Sequence, residues 1–483
     1  LAVCTTDFND GQLASGLTRQ VSKIFARDLL DNIATDLSAK YQAWPKRYLW
    51  DRNYSETRLP AVPSAIIETL SHQSFPDMLL GQDPNFRFDL ARSLYKTMAR
   101  FINGMHGKAT VIEPLRPLNL SVSLADDRAT VSWTPQKDPT EASATPEYYI
   151  VYTAVGKGGF DNGTRVDRPH FSPDIEPGVV YHFKVTACNR GGESFPSEVV
   201  AAVREPGAKK TVLVVNGFHR LSSPAVLDNG RQGFDLDTDL GVTEGVTAGW
   251  NGRFIAGNDF NYVSEHAAAI ASAHKYNVAS CSSHAIETGI VDVNDYDAVD
   301  LVLGLEKYAA NQTRYYKTFT PVMKQALTRY LANGGKLLAS GAYIGSDNAE
   351  SDSNNGETNS TGRDWLARTL HVCWDGAAKV NSLNGISGLG INGISIYDTP
   401  NPDHYCVQCA DKLSPATGAF TAMLYADGST AAVGFDGGKE SGDDDYKPNP
   451  SRTFVMGFPL ESITDRQTQA NIMRGIMTFL MNK

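Results

Sequence analysis

Glu68 is the residue whose neighbours best equip it for chemistry. It ends the apolar run Ser64-Ala65-Ile66-Ile67. A carboxylate delivered to a strand tip is one way an α/β enzyme presents a general base. His72 follows four residues later, close enough in sequence to orient the acid or touch a substrate. A second candidate is Gly341-Ala342-Tyr343-Ile344-Gly345, which follows the apolar run 336–340. Its spacing is that of a strand-to-helix nucleophile turn, G-x-nucleophile-x-G. Tyrosine stands at the nucleophile position, and Ser340 and Ser346 flank it without an evident base. Asp235, Asp237, Asp239 and Gly241 alternate as in a calcium loop. The glycine falls one position late and Val246 replaces the closing Glu, so a solvated acidic turn is expected. Cys406 and Cys409 form the one close cysteine pair. Without a second pair they predict an incidental pair or a local disulfide, not a zinc site.

The elements that must position these groups fall into three parts, as a length of 483 residues suggests. Hydrophobic content of 41% with 20% charged residues suits folded domains. The net charge of −10 without a long basic run argues against nucleic acid or an anionic membrane as partner. No apolar run approaches the roughly 20 residues of a membrane span. Six cysteines are too few for a disulfide scaffold. The chain carries no signal peptide, and Leu1 reads as a processing boundary inside a domain.

Residues 1–110 read as α/β. Leu13, Leu17, Val21, Ile24, Phe25, Leu29, Ile33 and Leu37 predict one helical stripe. Phe86, Leu90, Leu94, Met98 and Ile102 predict another behind Glu68. Residues 113–205 switch to period two, with runs at 129–133, 148–152 and 181–187 separated by turn signals, as in a β-sandwich. Residues 210–483 alternate buried strands (211–217, 298–303, 336–340, 431–435, 453–456) with helices. One helix is expected from Thr320 and Pro321 to a stop at Gly334, and the last from a Thr464/Gln467 capping box. The pattern predicts a doubly wound parallel sheet. Its carboxyl edge would carry Asn216, His219, Arg220, Glu306, Tyr343 and Asp347, where such sheets bind ligands.

The segment PSAIIETLSHQSFPDM, from Pro63 to Met78, resembles the last third of the zinc-dependent N-acetylmuramoyl-L-alanine amidase domain. There a Pro-led apolar strand carries the catalytic glutamate, and a loop and terminal helix follow. The continuation into LSHQ is more similar still to a secreted bacterial subgroup labelled xanthan lyase or golvesin-like. In that subgroup the amidase-like part precedes fibronectin type III and flavodoxin-like domains. Nothing in this sequence resembles a polysaccharide-lyase toroid. The segment PGVVYHFKVTACNRGGESFPS resembles fibronectin type III modules, with Tyr181 at the tyrosine corner and Trp133 as the core Trp. The last part resembles flavodoxin or glutamine-amidotransferase domains. The latter place Cys where Tyr343 stands and a His after the last strand, where this chain reads Gly457-Phe458-Pro459-Leu460-Glu461. A Cys–His dyad is therefore not expected.

The resemblance implies a cell-envelope hydrolase, secreted or periplasmic, acting on peptidoglycan or a related amide. Zinc would activate water, with Glu68 as general base. The family's zinc ligands would lie upstream of Leu1, since residues 1–60 contain no His and Glu56 as the one Glu. The other expectation is a non-catalytic protein that binds a cell-surface glycan or peptide, with both enzyme-like domains degenerate.

Overall fold

A computed structural model describes the chain apart from residues 42, 126–127, 220–224, 229–231, 236–260, 309–315, 350–358, 400–403, 438–450 and 483. At its start, β1 (Ala2–Cys4) is followed by α1 (Gln20–Ser38), β2 (Leu49–Asp51), the short α2 (Ser55–Arg58), β3 (Ile66–Ile67), α3 (Phe75–Gln82) and α4 (Pro84–Met105). β1 is the middle strand, parallel to β2 and antiparallel to β3. Ala2 and Cys4 turn one face of this sheet onto Ala26 of α1. The expected stripe is shorter than its spacing suggested. Leu13 is buried in a turn that closes on Leu17, and α1 starts only at Gln20.

The helix behind Glu68 also differs from its pattern. Asp83 caps it by accepting from the Asn85 N–H at 2.8 Å, with Pro84 in the first turn. Phe86 is fully buried, but Met98 and Ile102 are exposed. The middle turns instead bury Arg92, Ser93, Lys96 and Thr97. Arg92 donates to Asp138 Oδ2 at 2.9 Å and to the Glu113 carbonyl at 3.0 Å. Lys96 pairs with Asp36 at 3.0 Å and donates to Thr140 Oγ1 at 3.1 Å. A polar face, invisible to hydrophobic periodicity, thus docks α4 on the next domain.

That domain is an antiparallel sandwich: β4 (Leu118–Ala125), β5 (Arg128–Thr134), β6 (Tyr148–Val155), β7 (Thr164–Val166), β8 (His170–Phe171), β9 (Val180–Asn189), β10 (Gly192–Glu193) and β11 (Val200–Val203). Trp133 is buried with its ring 5.3 Å from that of Tyr149. The Tyr181 hydroxyl accepts the Glu176 N–H at 3.2 Å, as a tyrosine corner does.

The remaining chain contains β12 (Thr211–Asn216), a hairpin of β13 (Ala225–Asp228) and β14 (Gln232–Asp235), α5 (Tyr262–Ala271), β15 (Asn277–Ser282), α6 (Ser283–Glu287), β16 (Ala298–Gly304), α7 (Pro321–Ala332), β17 (Lys336–Gly341), α8 (Ser346–Ala349) and α9 (Asn359–Trp365). Then come β18 (Val372–Lys379), α10 (Val380–Leu383), β19 (Ile386–Gly388), β20 (Ile391–Ile394), β21 (Cys409–Pro415), β22 (Phe420–Leu424), β23 (Thr430–Phe435), β24 (Arg452–Met456) and α11 (Arg466–Met481). Five strands are parallel in the order β15-β12-β16-β17-β24. α5 and α11 contribute to the core on one face, and α6 and α7 to that on the other.

Thr320 caps α7 through the Met323 N–H, and Gly334 leaves it at φ +85°, as the sequence predicted. Three expectations need correction. β23 runs antiparallel to β24, within an antiparallel excursion spanning β18 to β23. β15 was not anticipated. α11 is capped by Asp465, whose carboxylate accepts both the Thr468 N–H (2.8 Å) and its hydroxyl (2.5 Å). Thr464 donates instead to the Ser395 carbonyl. Asp237, Asp239, Gly241 and Val246 lie outside the described residues. Among the described residues no helix is long and apolar enough to cross a membrane.

The sandwich and the parallel sheet are hydrogen-bonded to each other. β4 pairs antiparallel with β15 (Ser280↔Val122, Cys281↔Ser121), and Val203 of β11 bridges Val278. The Ser280 hydroxyl accepts the Ala201 N–H and donates to the Ala201 carbonyl, both at 2.7 Å.

Arg92→Ala leaves the Asp138 carboxylate buried without its cation, and should cost about 3 kcal/mol in denaturant titration. Burial pushes the Asp138 pKa up, but hydrogen bonds from Thr140 and Arg92 outweigh it and hold the group below its ordinary value. The stabilisation is therefore present above the unfolded carboxylate pKa of about 4 and lost as pH falls through the lower folded value. The variant should flatten that acid-side loss.

Candidate functional site

Two places in the fold hold groups able to do chemistry. At the first, Glu68 follows β3 and lies opposite Leu1. The two exchange main-chain hydrogen bonds, Glu68 N–H to the Leu1 carbonyl (3.0 Å) and the Leu1 amino group to the Glu68 carbonyl (3.3 Å). The Glu68 side chain is exposed. Among the described residues its carboxylate makes no hydrogen bond or ion pair. His72 is exposed in the turn that follows and is not bonded to Glu68. No three His, Cys, Asp or Glu side chains among the described residues gather as metal donors.

The second place is the carboxyl edge of the parallel sheet, around the point where strand order reverses between β12 and β16. Asn216 ends β12, and its Oδ1 turns back to accept the Phe218 N–H at 3.1 Å. Its amide nitrogen donates to Glu198, which arrives from the sandwich. His219 follows; its N–H donates to Glu306 Oε2 at 3.0 Å, beyond β16. Its Nε2 lies 2.8 Å from the hydroxyl of Ser283, the first residue of α6, and its Nδ1 lies 3.8 Å from Glu198 Oε2. Burial, then His284 and Arg116, push the imidazole down to about 3. Burial pushes Glu198 up to about 7 against the pull of Arg116. A neutral imidazole facing a hydroxyl can accept its proton, though Glu198 is too far to hydrogen-bond the ring. The sequence brought Asn216, His219 and Glu306 to this edge. It missed Glu198 and Ser283, which no motif marked, and Arg220 lies outside the described residues.

Tyr343 and Asp347 reach the same edge in other roles. Tyr343 is buried under the Lys307 ammonium, 4.9 Å from its ring centre. Asp347 is buried and accepts the N–H groups of Tyr308 (3.1 Å) and Thr318 (2.9 Å). The turn after β17 is capped from inside. Asp411 Oδ2 accepts the Gly345 N–H (2.6 Å) and the Ser346 N–H (3.0 Å). Burial pushes this carboxyl up to about 7. Asp411 thus fastens the backbone of this turn at the two residues beyond Ile344.

Glu461, after the last strand, does find a histidine, but from α5. His266 is fully buried, with Nδ1 2.8 Å from Asp300 Oδ2 and Nε2 3.2 Å from Glu461 Oε2. The Tyr405 hydroxyl donates to Glu461 Oε1 at 2.8 Å. Burial opposes the imidazolium, but Asp300 and Glu461 outweigh it and push His266 up to about 10. This group is a structural tie that no substrate reaches. Cys406 and Cys409 are not joined by a disulfide, so the local disulfide does not form. A cavity of about 790 Å³ opens between the sandwich and helices α5 and α11, lined by Lys157, Phe160, His182, Tyr262, Glu265 and Arg466 among others.

Residues 115–203 match the family model of the fibronectin type III domain. Among solved structures the chain is similar to the twitchin kinase region from C. elegans, at 19% identity over 20% of this chain and 18% of that one, TM-score 0.17. A human fourth FNIII domain is 26% identical over 19% of this chain and 79% of that one, TM-score 0.17. The FN5 domain of Drosophila Lar is 21% identical over 20% of this chain and 99% of that one, TM-score 0.16. The chain thus spans less than a fifth of the twitchin structure. No curated protein matches it.

The Glu198 and His219 pKa shifts have opposite consequences for stability. Glu198 rises from an ordinary 4.5 to about 7, so the unfolded chain ionises first and stability declines as pH climbs through that interval. His219 falls from 6.5 to about 3, so the unfolded chain binds its proton first and stability declines as pH drops. In denaturation series across pH, Glu198→Gln should remove the first slope and His219→Gln the second.

Proposed function

We propose that this chain is part of a cell-envelope hydrolase related to the peptidoglycan amidases, with Glu68 as the carboxylate that takes the proton from an attacking water. The observation that carries this reading is the state of Glu68. Glu68 is exposed just beyond the strand, and its carboxylate makes no hydrogen bond or ion pair among the described residues, so a substrate can reach it. The family resemblance adds the substrate class, an amide joining glycan and peptide. It also implies zinc, but the described residues gather no donor set for one. They do not fit that centre. In the step assigned to this chain, water loses a proton to Glu68 as its oxygen bonds the carbonyl carbon. Glu68 then returns that proton to the amide nitrogen as the carbon–nitrogen bond breaks, so the products are a carboxylic acid and an amine and Glu68 is again a carboxylate.

The order of the five parallel strands is that of flavodoxin-type domains. We assign that domain a binding or docking role, because the residue at its nucleophile position is Tyr343, buried beneath the Lys307 ammonium. If no hydrolysis is found, the whole chain is better read as a glycan- or peptide-binding envelope protein.

The test is release of new amino termini from purified peptidoglycan by the protein. Glu68→Gln should lower the rate by about a hundredfold or more with its unfolding curve unchanged. Equal release by both proteins would remove Glu68 from the site.

A further inference from the structure

The face of the sheet that carries Glu68 also carries two exposed aromatic rings. Ala2 pairs with Leu49 on one side and Ile67 on the other. One residue back along β1, Leu1 therefore lies between Tyr48 and Glu68, and the Ala2 N–H donates to the Tyr48 carbonyl at 3.1 Å. Residues in one row of a sheet project to the same face, and so does the residue two further along a strand. Tyr48, Trp50 and Glu68 thus share a face, opposite the one that Ala2, Leu49 and Ile67 turn toward α1.

The Tyr48 and Trp50 rings are stacked nearly parallel, with centres 6.1 Å apart and planes 6° from parallel. They are 61% and 36% exposed. Two large rings left in water on an edge strand lose the free energy that burial would provide, which marks such a patch as a binding surface. Cations border them. The Arg52 guanidinium lies 5.4 Å from the Trp50 ring centre. Arg47 sits near enough to the Leu1 amino group to lower its pKa, alongside the larger effect of burial. The whole chain carries −10, so this positive border is local.

We propose that Tyr48 and Trp50 are a stacking platform for a carboxylate-bearing sugar chain, which they hold against the Glu68 end of the sheet. The apolar face of a pyranose ring lies flat on an aromatic ring while its hydroxyls remain in water. The distance from the Tyr48 strand to the Glu68 strand is two inter-strand spacings, roughly 10 Å, so a chain stacked on the platform runs on toward the acid. Arg47 and Arg52 complement carboxylates on the sugar. Aromatic and arginine side chains also stack nucleobases, but a net charge of −10 disfavours a polyphosphate. The inference deepens the preceding reading by naming the glycan as what the Glu68 face binds. It rests on where Glu68 stands and not on turnover.

Binding is measured by calorimetry and tryptophan fluorescence on the full chain. The probes are peptidoglycan glycan strands stripped of stem peptides, neutral chitin oligosaccharides, and a single-stranded oligonucleotide. The stripped strands should bind most tightly. Tyr48→Ala and Trp50→Ala should each weaken them roughly tenfold, whereas Trp50→Phe should retain most of the affinity. Removing Arg47 and Arg52 together should abolish the preference for the carboxylated strand. Glu68→Gln removes a negative charge beside the bound carboxylates and should bind at least as tightly as the parent while losing any amide hydrolysis, which separates this proposal from the catalytic one. Both rings are exposed, so unfolding curves should not change. Absent binding, binding indifferent to Tyr48→Ala and Trp50→Ala, or tighter binding of the oligonucleotide would each overturn the proposal.

Discussion

A parallel sheet must do something with its edge strands. Here the solution at β15 organises the rest of the molecule. An uncovered β15 would present a row of unpaired N–H and C=O groups. The sandwich covers it by hydrogen-bonding β4 and the end of β11 to it, and Ser280 fastens the seam to Ala201. Because the join is made of main-chain hydrogen bonds, its register is fixed. Register is what brings Glu198 from the sandwich to Asn216 and His219. The same docking leaves the cavity between the sandwich and helices α5 and α11. A module of a type that often acts as a spacer is here a structural wall of the neighbouring domain.

Buried charge reinforces the arrangement where apolar packing cannot specify it. His266 ties α5 to β16 through Asp300 and to the turn after β24 through Glu461. A buried ion group of this kind gains little net stability, because desolvation offsets most of the attraction. Misplacing any member would leave a charge unpaired in the core, so the group selects one packing over its neighbours. Arg92 and Lys96 act similarly where α4 meets the sandwich. Both sets are polar contacts between segments distant in sequence, and neither leaves a periodic signature.

The enzyme-like features divide accordingly. Asp411, Asp347 and the His266 group show catalytic residue types engaged in holding backbone together. Glu68 stands apart. It is exposed, and it shares a face with aromatic residues that packing has left uncovered. The larger α/β domain is braced from within by its own carboxylates.

Much of this was readable in the residues. Trp133 and Tyr181 announced the sandwich, and Thr320, Pro321 and Gly334 bounded α7, because cap and core signals act over a few neighbouring residues. Strand alternation placed Asn216, His219 and Glu306 at one edge, because every parallel strand ends on the same side. Periodicity failed where burial was polar, as in the middle turns of α4, and where an apolar run was not helical, as at Leu13. It could not assign β23 its direction, since strand composition carries no sense of orientation. The sequence alone determined the sandwich, most of the parallel strands and the bounds of α7, and that Glu68 follows a short apolar strand. Tertiary structure alone decided that Glu198 meets His219, that Asp411 fills the turn after β17, and that Tyr48 and Trp50 stand in the open beside Glu68. Those relations depend on register between distant strands, which local physics leaves free until the sheet forms.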